Sequence, residues 1–271
     1  PAEIHGRKFN DVNGDGVQDP LPFAEYTFDP DADGHVPDSA AIDPDYLLTK
    51  KENGVSYANA DLFGSSTVAT NLGNSGRVVE SNSGTNDFGF WLSKAAIQDL
   101  PAWSIVLWAN RSDLDDHDFL FYVGSGDGFG GTGSETFVYG SDTGQLRATN
   151  YTGAGATWDI AGGQMAAQQW HQIAFSFDGS TFELFLDGES VASQANAVVN
   201  GLTRPGNSVL VFGAGKWMAT ATMRTRILDG LIDQVEIYDQ PLTPDQVQRR
   251  YDAFVEDLSD PPGYESGLPG W

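Results

Sequence analysis

The sequence has 271 residues, 40% of them hydrophobic, which is enough for one large β domain or two average domains with a proper core. Fourteen basic and 38 acidic residues give a formal net charge of −24, which argues against nucleic acid and anionic membranes as partners. The absence of cysteine excludes a disulfide scaffold and thiol chemistry, and no apolar run is long enough for insertion across a membrane.

The first element along the chain is an acidic turn in FNDVNGDGVQDP, residues 9–20. Its oxygen ligands fall at relative positions 1, 3, 5, 7 and 9 of an EF-hand-type calcium loop, and Gly16 stands where that loop needs a glycine. The ligands are Asp11, Asn13, Asp15, the carbonyl of Val17, and Asp19. Position 12, usually a bidentate glutamate, is Pro22. Because the carboxylates would repel one another without a cation, the spacing predicts bound calcium; the alternative is a turn rich in Asp and Asn.

A second acidic segment follows around Gly34. Asp29, Asp31 and Asp33 repeat the 1-3-5 spacing, but the next acidic residue, Asp38, falls at position 10 rather than 9. The segment is therefore a candidate for a second calcium site, and a solvated acidic turn explains it equally well.

A series of strand-like runs occupies most of the remaining chain. They are rich in β-branched and aromatic residues, and several alternate with period two. The runs are AEYTF (24–28), WSIVLWA (103–109), DFLFYVG (118–124), TFVYG (136–140), WHQIAFSFDG (170–179), TFELFLDG (181–188), SVLVFGAG (208–215) and LIDQVEIYD (231–239). Asp178-Gly179-Ser180, between two of them, predicts a hairpin turn.

One convincing helix comes near the end, in PLTPDQVQRRYDAFV. Thr243 is placed as its N-cap, Pro244 as its first residue, and Gln246 completes a capping box. An apolar stripe at helical spacing follows, formed by Val247, Tyr251 and Phe254. So many short strands with a single short helix predict an all-β protein of two packed antiparallel sheets.

A resemblance to a known family is carried, in order, by AEYTFD, LPAWSIVLWA, WHQIAFSFDGSTFELFLDG and LDGLIDQVEIYDQPLTPDQVQRRYDA. These segments resemble the laminin G-like, concanavalin A-like jelly-roll domains of bacterial surface proteins, over roughly residues 22–255. The most specific parts are the W-H-x-I strand with its F-D-G hairpin and the G-x-I-D-x-V-x-I-Y strand with its T-x-x-Q helix. The resemblance implies an antiparallel two-sheet jelly-roll sandwich, frequent structural calcium, and binding of glycans or proteins on one concave face or at loop tips.

The N-terminal stretch IHGRKFNDVNGDGVQDP resembles the opening of calcium-binding B-type repeats of bacterial adhesins, whose loop usually continues as D-P-G-E-x-G-L-x-G-W. That continuation is missing after Pro20 and reappears at residues 262–271. We therefore predict three parts: a calcium-loop segment (1–21), the jelly roll (22–257), and a C-terminal part (258–271). In this hypothesis the jelly roll is inserted into the repeat and Glu265 supplies the missing carboxylate; the alternative is that 258–271 is a proline-rich linker.

Asp233 stands out within the last predicted strand. By simple alternation it shares a face with Leu231, Val235 and Ile237, and a buried carboxylate needs a cation or several donors. The family resemblance implies that an Asp at this place helps to hold calcium beside the first strand, near Asp29. The alternative is hydrogen bonding to backbone amides, since a bulge could also turn Asp233 outward.

Catalytic motifs are not found. No E-x-D-x-x-E strand is present, although the resembling glycanases place nucleophile and acid on such a strand about 5 Å apart, and no lyase-like cluster is present either. His171 lies on a predicted core strand and is interpreted as a packed structural residue. For stacking on sugars, Trp91, Trp158 and Trp217 lie near loop-like or edge sequence, and Trp217 is the preferred candidate.

These features predict a non-catalytic, calcium-binding module for adhesion or carbohydrate binding within a larger secreted or cell-surface protein. Its expected partner is a glycan or a surface protein, and calcium loops of moderate affinity favour an extracellular place. Two alternatives remain open. One is a structural repeat that contacts neighbouring copies of itself in a stalk or filament, and the other is a polysaccharide hydrolase or lyase with an unrecognised site.

Overall fold

The fold was obtained as a computed structural model. It describes residues 19–26, 28, 35–36, 48–50, 56–57, 76–78, 90–92, 100–114, 118–125, 134–152, 155–197, 208–213 and 228–259. The strands are β1 (Ala24–Tyr26), β2 (His35–Val36), β3 (Leu48–Lys50), β4 (Ser56–Tyr57), β5 (Gly76–Val78), β6 (Phe90–Leu92), β7 (Trp103–Arg111), β8 (Asp118–Ser125), β9 (Ser134–Gly140), β10 (Gln145–Thr152), β11 (Gly155–Gln164), β12 (Trp170–Phe177), β13 (Phe182–Leu186), β14 (Glu189–Gln194), β15 (Ser208–Phe212) and β16 (Gly230–Tyr238). The helix is α1 (Pro244–Ser259).

The described strands form two eight-stranded sheets, and every pairing is antiparallel. Sheet A has the order β14-β13-β12-β7-β16-β5-β4, and β1 also pairs with β16. Sheet B has the order β11-β10-β9-β8-β15-β6-β3-β2. The predicted jelly-roll sandwich is confirmed. The domain boundaries after residues 21 and 257 stay predictions.

The core lies between the sheets and is strongly aromatic. Phe175 of sheet A and Phe121 of sheet B lie 4.6 Å apart between ring centroids, and Phe182 lies 5.0 Å from Trp158 across the same space. Trp103, which is fully buried, packs against rings from both sheets. Burial of such large apolar rings is the main stabilising contribution to a fold of this kind.

Two local predictions are confirmed at the level of single hydrogen bonds. In the β12–β13 hairpin, the Asp178 carboxylate accepts bonds from the backbone N–H groups of Ser180 and Thr181, at 2.8 and 2.6 Å. At the helix start, the Gln246 N–H donates to Thr243 Oγ1 at 3.3 Å, and the Thr243 N–H donates to Gln246 Oε1 at 2.9 Å. Reciprocal bonds of this kind satisfy backbone donors that a helix start otherwise leaves unpaired.

Helix α1 covers the outer side of sheet A. A second apolar cluster forms beneath it, made of Val106, Ala174, Phe185, Tyr238, Leu242 and Val247. The ring of Tyr251 stacks on Trp108 at 5.9 Å, and Phe254 lies 5.5 Å from the same ring. Among the described residues, no helix has the length and apolar character needed to cross a membrane.

Candidate functional site

The outer side of sheet B carries a row of aromatic and polar side chains. Phe121 points into the core, so its neighbour Tyr122 on β8 points outward. Tyr122 lies opposite Phe137 on β9, Phe137 lies opposite Thr149 on β10, and Thr149 lies opposite Asp159 on β11. Directly opposed residues of antiparallel strands point to the same side, so these four side chains cross the sheet together.

Alternation along the same strands adds further members to this side. The outward side chains that we call the β8–β11 face are Tyr122, Glu135, Phe137, Tyr139, Arg147, Thr149, Tyr151 and Asp159. The aromatic rings on β8 and β9 are buried, whereas Tyr151 on β10 is half-buried. The side chains of Arg147 and Asp159 are 31% and 38% exposed, so the face is open to solvent on its β10–β11 side.

Arg147 and Asp159 form an ion pair on the open side. Arg147 Nη2 lies 2.5 Å from Asp159 Oδ2, and Thr149 Oγ1 donates to Asp159 Oδ1 at 3.1 Å. The pKa of Arg147 is raised, chiefly by the hydrogen bond to Asp159 and to a smaller extent by Tyr139. The charge of Arg147 is therefore balanced within the face, yet its Nε–H is buried without a hydrogen-bond partner.

Glu135 is the most unusual group of the face. It is only 3% exposed, and its Oε1 accepts a single hydrogen bond, from the Tyr122 hydroxyl at 3.0 Å. Its Oε2 is buried and has no hydrogen-bond partner. Burial raises the pKa of Glu135 to about 7, although the Tyr122 bond opposes that rise. An unsatisfied buried carboxylate oxygen is costly and is often a sign of function.

Sequence reasoning missed Glu135, although a signal was present. In SETFVYG the Glu is followed at alternate positions by Phe137 and Tyr139, which places one carboxylate in line with two rings on a single side of the strand. The partner Tyr122 comes from β8, and that pairing is visible only once the two strands are in register.

The predicted calcium ligands lie mostly outside the described residues. Asp19 is described: it is 1% exposed, and its Oδ1 accepts a hydrogen bond from Arg249 Nε at 3.3 Å. Arg250 also donates to the carbonyl of Pro20 at 2.7 Å, so this segment is attached to helix α1. The predicted site residues outside the described part are Asp11, Asn13, Asp15, Val17, Asp29, Asp31, Asp33, Trp217 and Glu265.

Asp233 is buried as predicted, but the prediction that it shares a face with Val235 and Ile237 is wrong. A register shift separates Asp233, opposite Trp108, from Glu236, opposite Val106. Gln234, with φ 49°, takes up the extra residue in this bulge. Asp233 therefore lies on the helix side of sheet A, where its Oδ1 accepts the Gln234 N–H at 2.8 Å. A metal role for Asp233 stays a prediction.

Two other interpretations are decided by burial and bonding. His171 is a packed structural residue, as predicted: its Nε2 accepts the Ala166 N–H at 2.9 Å, so its Nδ1–H donates to Asp187 Oδ2 at 2.7 Å. Trp158 is buried against Phe182 and offers no exposed platform, which corrects its earlier consideration for sugar stacking. No group of three or more His, Cys, Asp or Glu side chains that could hold a metal occurs among the described residues.

Several solved structures are similar to this chain. Domain 4 of AbnA, an extracellular arabinanase from Geobacillus stearothermophilus solved with arabinotriose, has 19% identity and a TM-score of 0.57, over 85% of this chain and 98% of that one. The binding domain of Paraclostridial Mosquitocidal Protein 1 has 13% identity and a TM-score of 0.59, over 86% and 52%. The CBM40 of Ruminococcus gnavus IT-sialidase, bound to alpha2,3 sialyllactose, has 16% identity and a TM-score of 0.50, over 60% and 92%.

At these identities, the similar structures establish the fold alone. A search of the curated proteins finds no match to the sequence. Residues 91–248, more than half of the chain, match the family described as the concanavalin A-like lectin/glucanases superfamily, in its laminin G-like branch. The matched residues contain the complete β7–β14 region and all of the β8–β11 face. The chain therefore belongs to the concanavalin A-like lectin/glucanases superfamily.

Proposed function

We propose that this chain is a non-catalytic carbohydrate-binding module that binds glycans on the β8–β11 face. The observation that carries the proposal is the row of outward aromatic and hydrogen-bonding side chains across four adjacent strands, open at its β10–β11 side. Aromatic rings supply apolar contact area for sugar rings, and a few polar groups fix the orientation of a ligand.

The similar structures support the ligand class. One is a domain in complex with arabinotriose, and another is a carbohydrate-binding module bound to sialyllactose. The first also belongs to an extracellular enzyme, which agrees with an extracellular place for this chain. Adhesion, a surface-protein partner and assembly with neighbouring copies remain predictions from the sequence.

The charges on the face favour binding over hydrolysis. Glycoside hydrolysis uses two carboxyl groups about 5 to 9.5 Å apart, one of them an acid and the other a base or nucleophile. Within the described part of the face, the carboxylates are Glu135 and Asp159. Asp159 is held by Arg147 and Thr149, and it lies two strands away from Glu135. We therefore propose a role without catalysis.

Calcium is part of the proposal through the N-terminal loop. The loop supplies oxygen ligands in calcium spacing, and the strongly negative net charge would be partly neutralised by bound cations. Asp19 also receives a hydrogen bond from Arg249, so calcium and the helix would both stabilise this segment.

A glycan array with the intact chain, followed by calorimetry on the best oligosaccharide, tests the proposed function. We expect Tyr151→Ala to weaken binding about tenfold, because the half-buried ring is lost from the open side of the face. The matched control is Val255→Ala, which removes apolar surface from helix α1 on the other side of the sandwich. Absence of binding to any glycan, or an equal loss in both variants, would contradict the proposal.

A further inference from the structure

We infer that the glycan bound on the β8–β11 face is an uncharged oligosaccharide, with one hydroxyl donating to Glu135 Oε2 and another accepting from Arg147 Nε. This inference rests on the proposed function and names the ligand class of the same site. It starts from two buried atoms that have no hydrogen-bond partner, one an acceptor and the other a donor.

The acceptor is fixed in place by its neighbours. Glu135 is nine-tenths buried or more, and the Tyr122 hydroxyl holds its Oε1, so the carboxylate cannot turn to satisfy Oε2 without breaking that bond. An unpaired acceptor of this kind costs about 1 to 3 kcal/mol, which a donor from a ligand would recover. A sugar hydroxyl is such a donor.

The donor is fixed in a similar way. Arg147 is held to Asp159 through Nη2, while its Nε–H remains buried and unpaired. Because a sugar hydroxyl both donates and accepts, the same ligand class satisfies Arg147 Nε and Glu135 Oε2.

The separation of the two groups requires more than one sugar ring. Arg147 lies opposite Tyr139, whereas Glu135 lies four residues earlier on the same strand, opposite Tyr151. Four residues of antiparallel strand span about 14 Å, which exceeds the reach of a monosaccharide. A ligand that satisfies both atoms is therefore an oligosaccharide lying along β9 and β10.

The charges of the face select an uncharged ligand. Arg147 is the cation among the residues that define the face, and Asp159 already balances it at 2.5 Å. A carboxylate or sulfate on the ligand would meet no free cation there, and the Glu135 carboxylate and the formal net charge of −24 would repel it. Like charges placed across an interface are a common means of rejecting wrong partners.

The test compares matched ligands on the intact chain by calorimetry. The panel contains gluco-, xylo-, arabino- and galacto-oligosaccharides of one to four units, together with lactose and alpha2,3 sialyllactose, which differ by one charged sugar. We expect binding of an uncharged oligosaccharide, at least about tenfold weaker binding of its monosaccharide, and weaker binding of sialyllactose than of lactose.

Two variants examine the two atoms separately. Glu135→Gln removes the charge, and Arg147→Lys keeps the ion pair with Asp159 but removes Nε–H; each should weaken the best oligosaccharide about tenfold and leave its monosaccharide less affected. Glu189→Gln, at an exposed position on β14, is the control and should bind as the unmodified chain does.

The outcomes separate this inference from the proposed function. Tighter binding of sialyllactose than of lactose, or unchanged affinity in both Glu135→Gln and Arg147→Lys, would overturn the inference while carbohydrate binding stands. Binding to no member of the panel or the array would overturn the proposed function, and this inference with it. A circular dichroism melt shows that each variant is folded before it is scored.

Discussion

Among single residues, Glu135 is the side chain whose ionised form the fold supports least. Its pKa is raised from 4.5 to about 7 by burial, so the folded chain holds this proton more tightly than the unfolded chain does. The free energy of unfolding must therefore fall as the pH rises from about 4.5 to about 7. Asp118 adds to the same trend, because burial raises its pKa to about 6 despite the nearby Arg111.

Glu135→Gln is expected to flatten the dependence of stability on pH. Between pH 4.5 and pH 7.5, the unmodified chain should lose roughly 2 to 3 kcal/mol more than the variant, since the amide does not titrate. Urea unfolding at several pH values measures the difference, and Glu189→Gln should follow the unmodified chain. Parallel curves for Glu135→Gln and the unmodified chain would contradict this account of Glu135.

At the scale of elements, helix α1 is attached to the sandwich by Arg250. Its guanidinium donates to Glu236 Oε2 at 3.1 Å and to the Pro20 carbonyl at 2.7 Å, and it lies 4.7 Å from the centre of the Tyr238 ring. Glu236 is buried and also accepts a bond from the Tyr238 hydroxyl. One side chain thus connects the helix, strand β16 and the segment before β1.

Arg250→Met should lower the free energy of unfolding by about 3 kcal/mol. The variant keeps the apolar stem but leaves Glu236 as a buried carboxylate without its cation, which is the costly way to break such a pair. Arg249→Met is the control and should cost less than Arg250→Met, because Arg249 is more exposed and makes a longer bond to Asp19. Urea midpoints of the two variants give the comparison, and equal shifts would show that Glu236 is not the cause.

The elements that sequence predicted well are those fixed by local patterns. The β12–β13 hairpin and the start of α1 are specified by neighbouring residues, so Asp178 and Thr243 could be assigned before the fold was known. Asp233 could not be placed, because the bulge that turns it to the helix side arises from pairing with β7 and from the positive φ of Gln234. Glu135 belongs to the same class, since its burial depends on β8.

For the whole molecule, the excess of acidic residues is the property that bound cations would change most. The formal net charge is −24, and self-repulsion of that size opposes the compact state. The calcium proposal concerns Asp11 and Asp15 together with Asp19, whose contact with Arg249 links the predicted loop to helix α1. Loss of the ion should therefore destabilise the fold beyond the loop itself.

Chelation of divalent ions is expected to lower the melting temperature by well over 2 °C, since a tightly bound ion contributes a few kcal/mol to stability. The measurement is a thermal melt with and without EDTA, with calcium and then magnesium added back to separate melts. Calcium should restore the original value and magnesium should restore less, because this loop type prefers the larger ion. A change below about 2 °C would contradict calcium binding by the loop.

The central claim concerns the side of the sandwich on which this chain meets a glycan. A crystal structure of the chain with the oligosaccharide that binds best on the array tests it most directly. We predict sugar density on the β8–β11 face, in contact with Tyr151 and with one hydroxyl within hydrogen-bond distance of Glu135 Oε2. Ordered sugar on another surface, with this face bare, would contradict the claim.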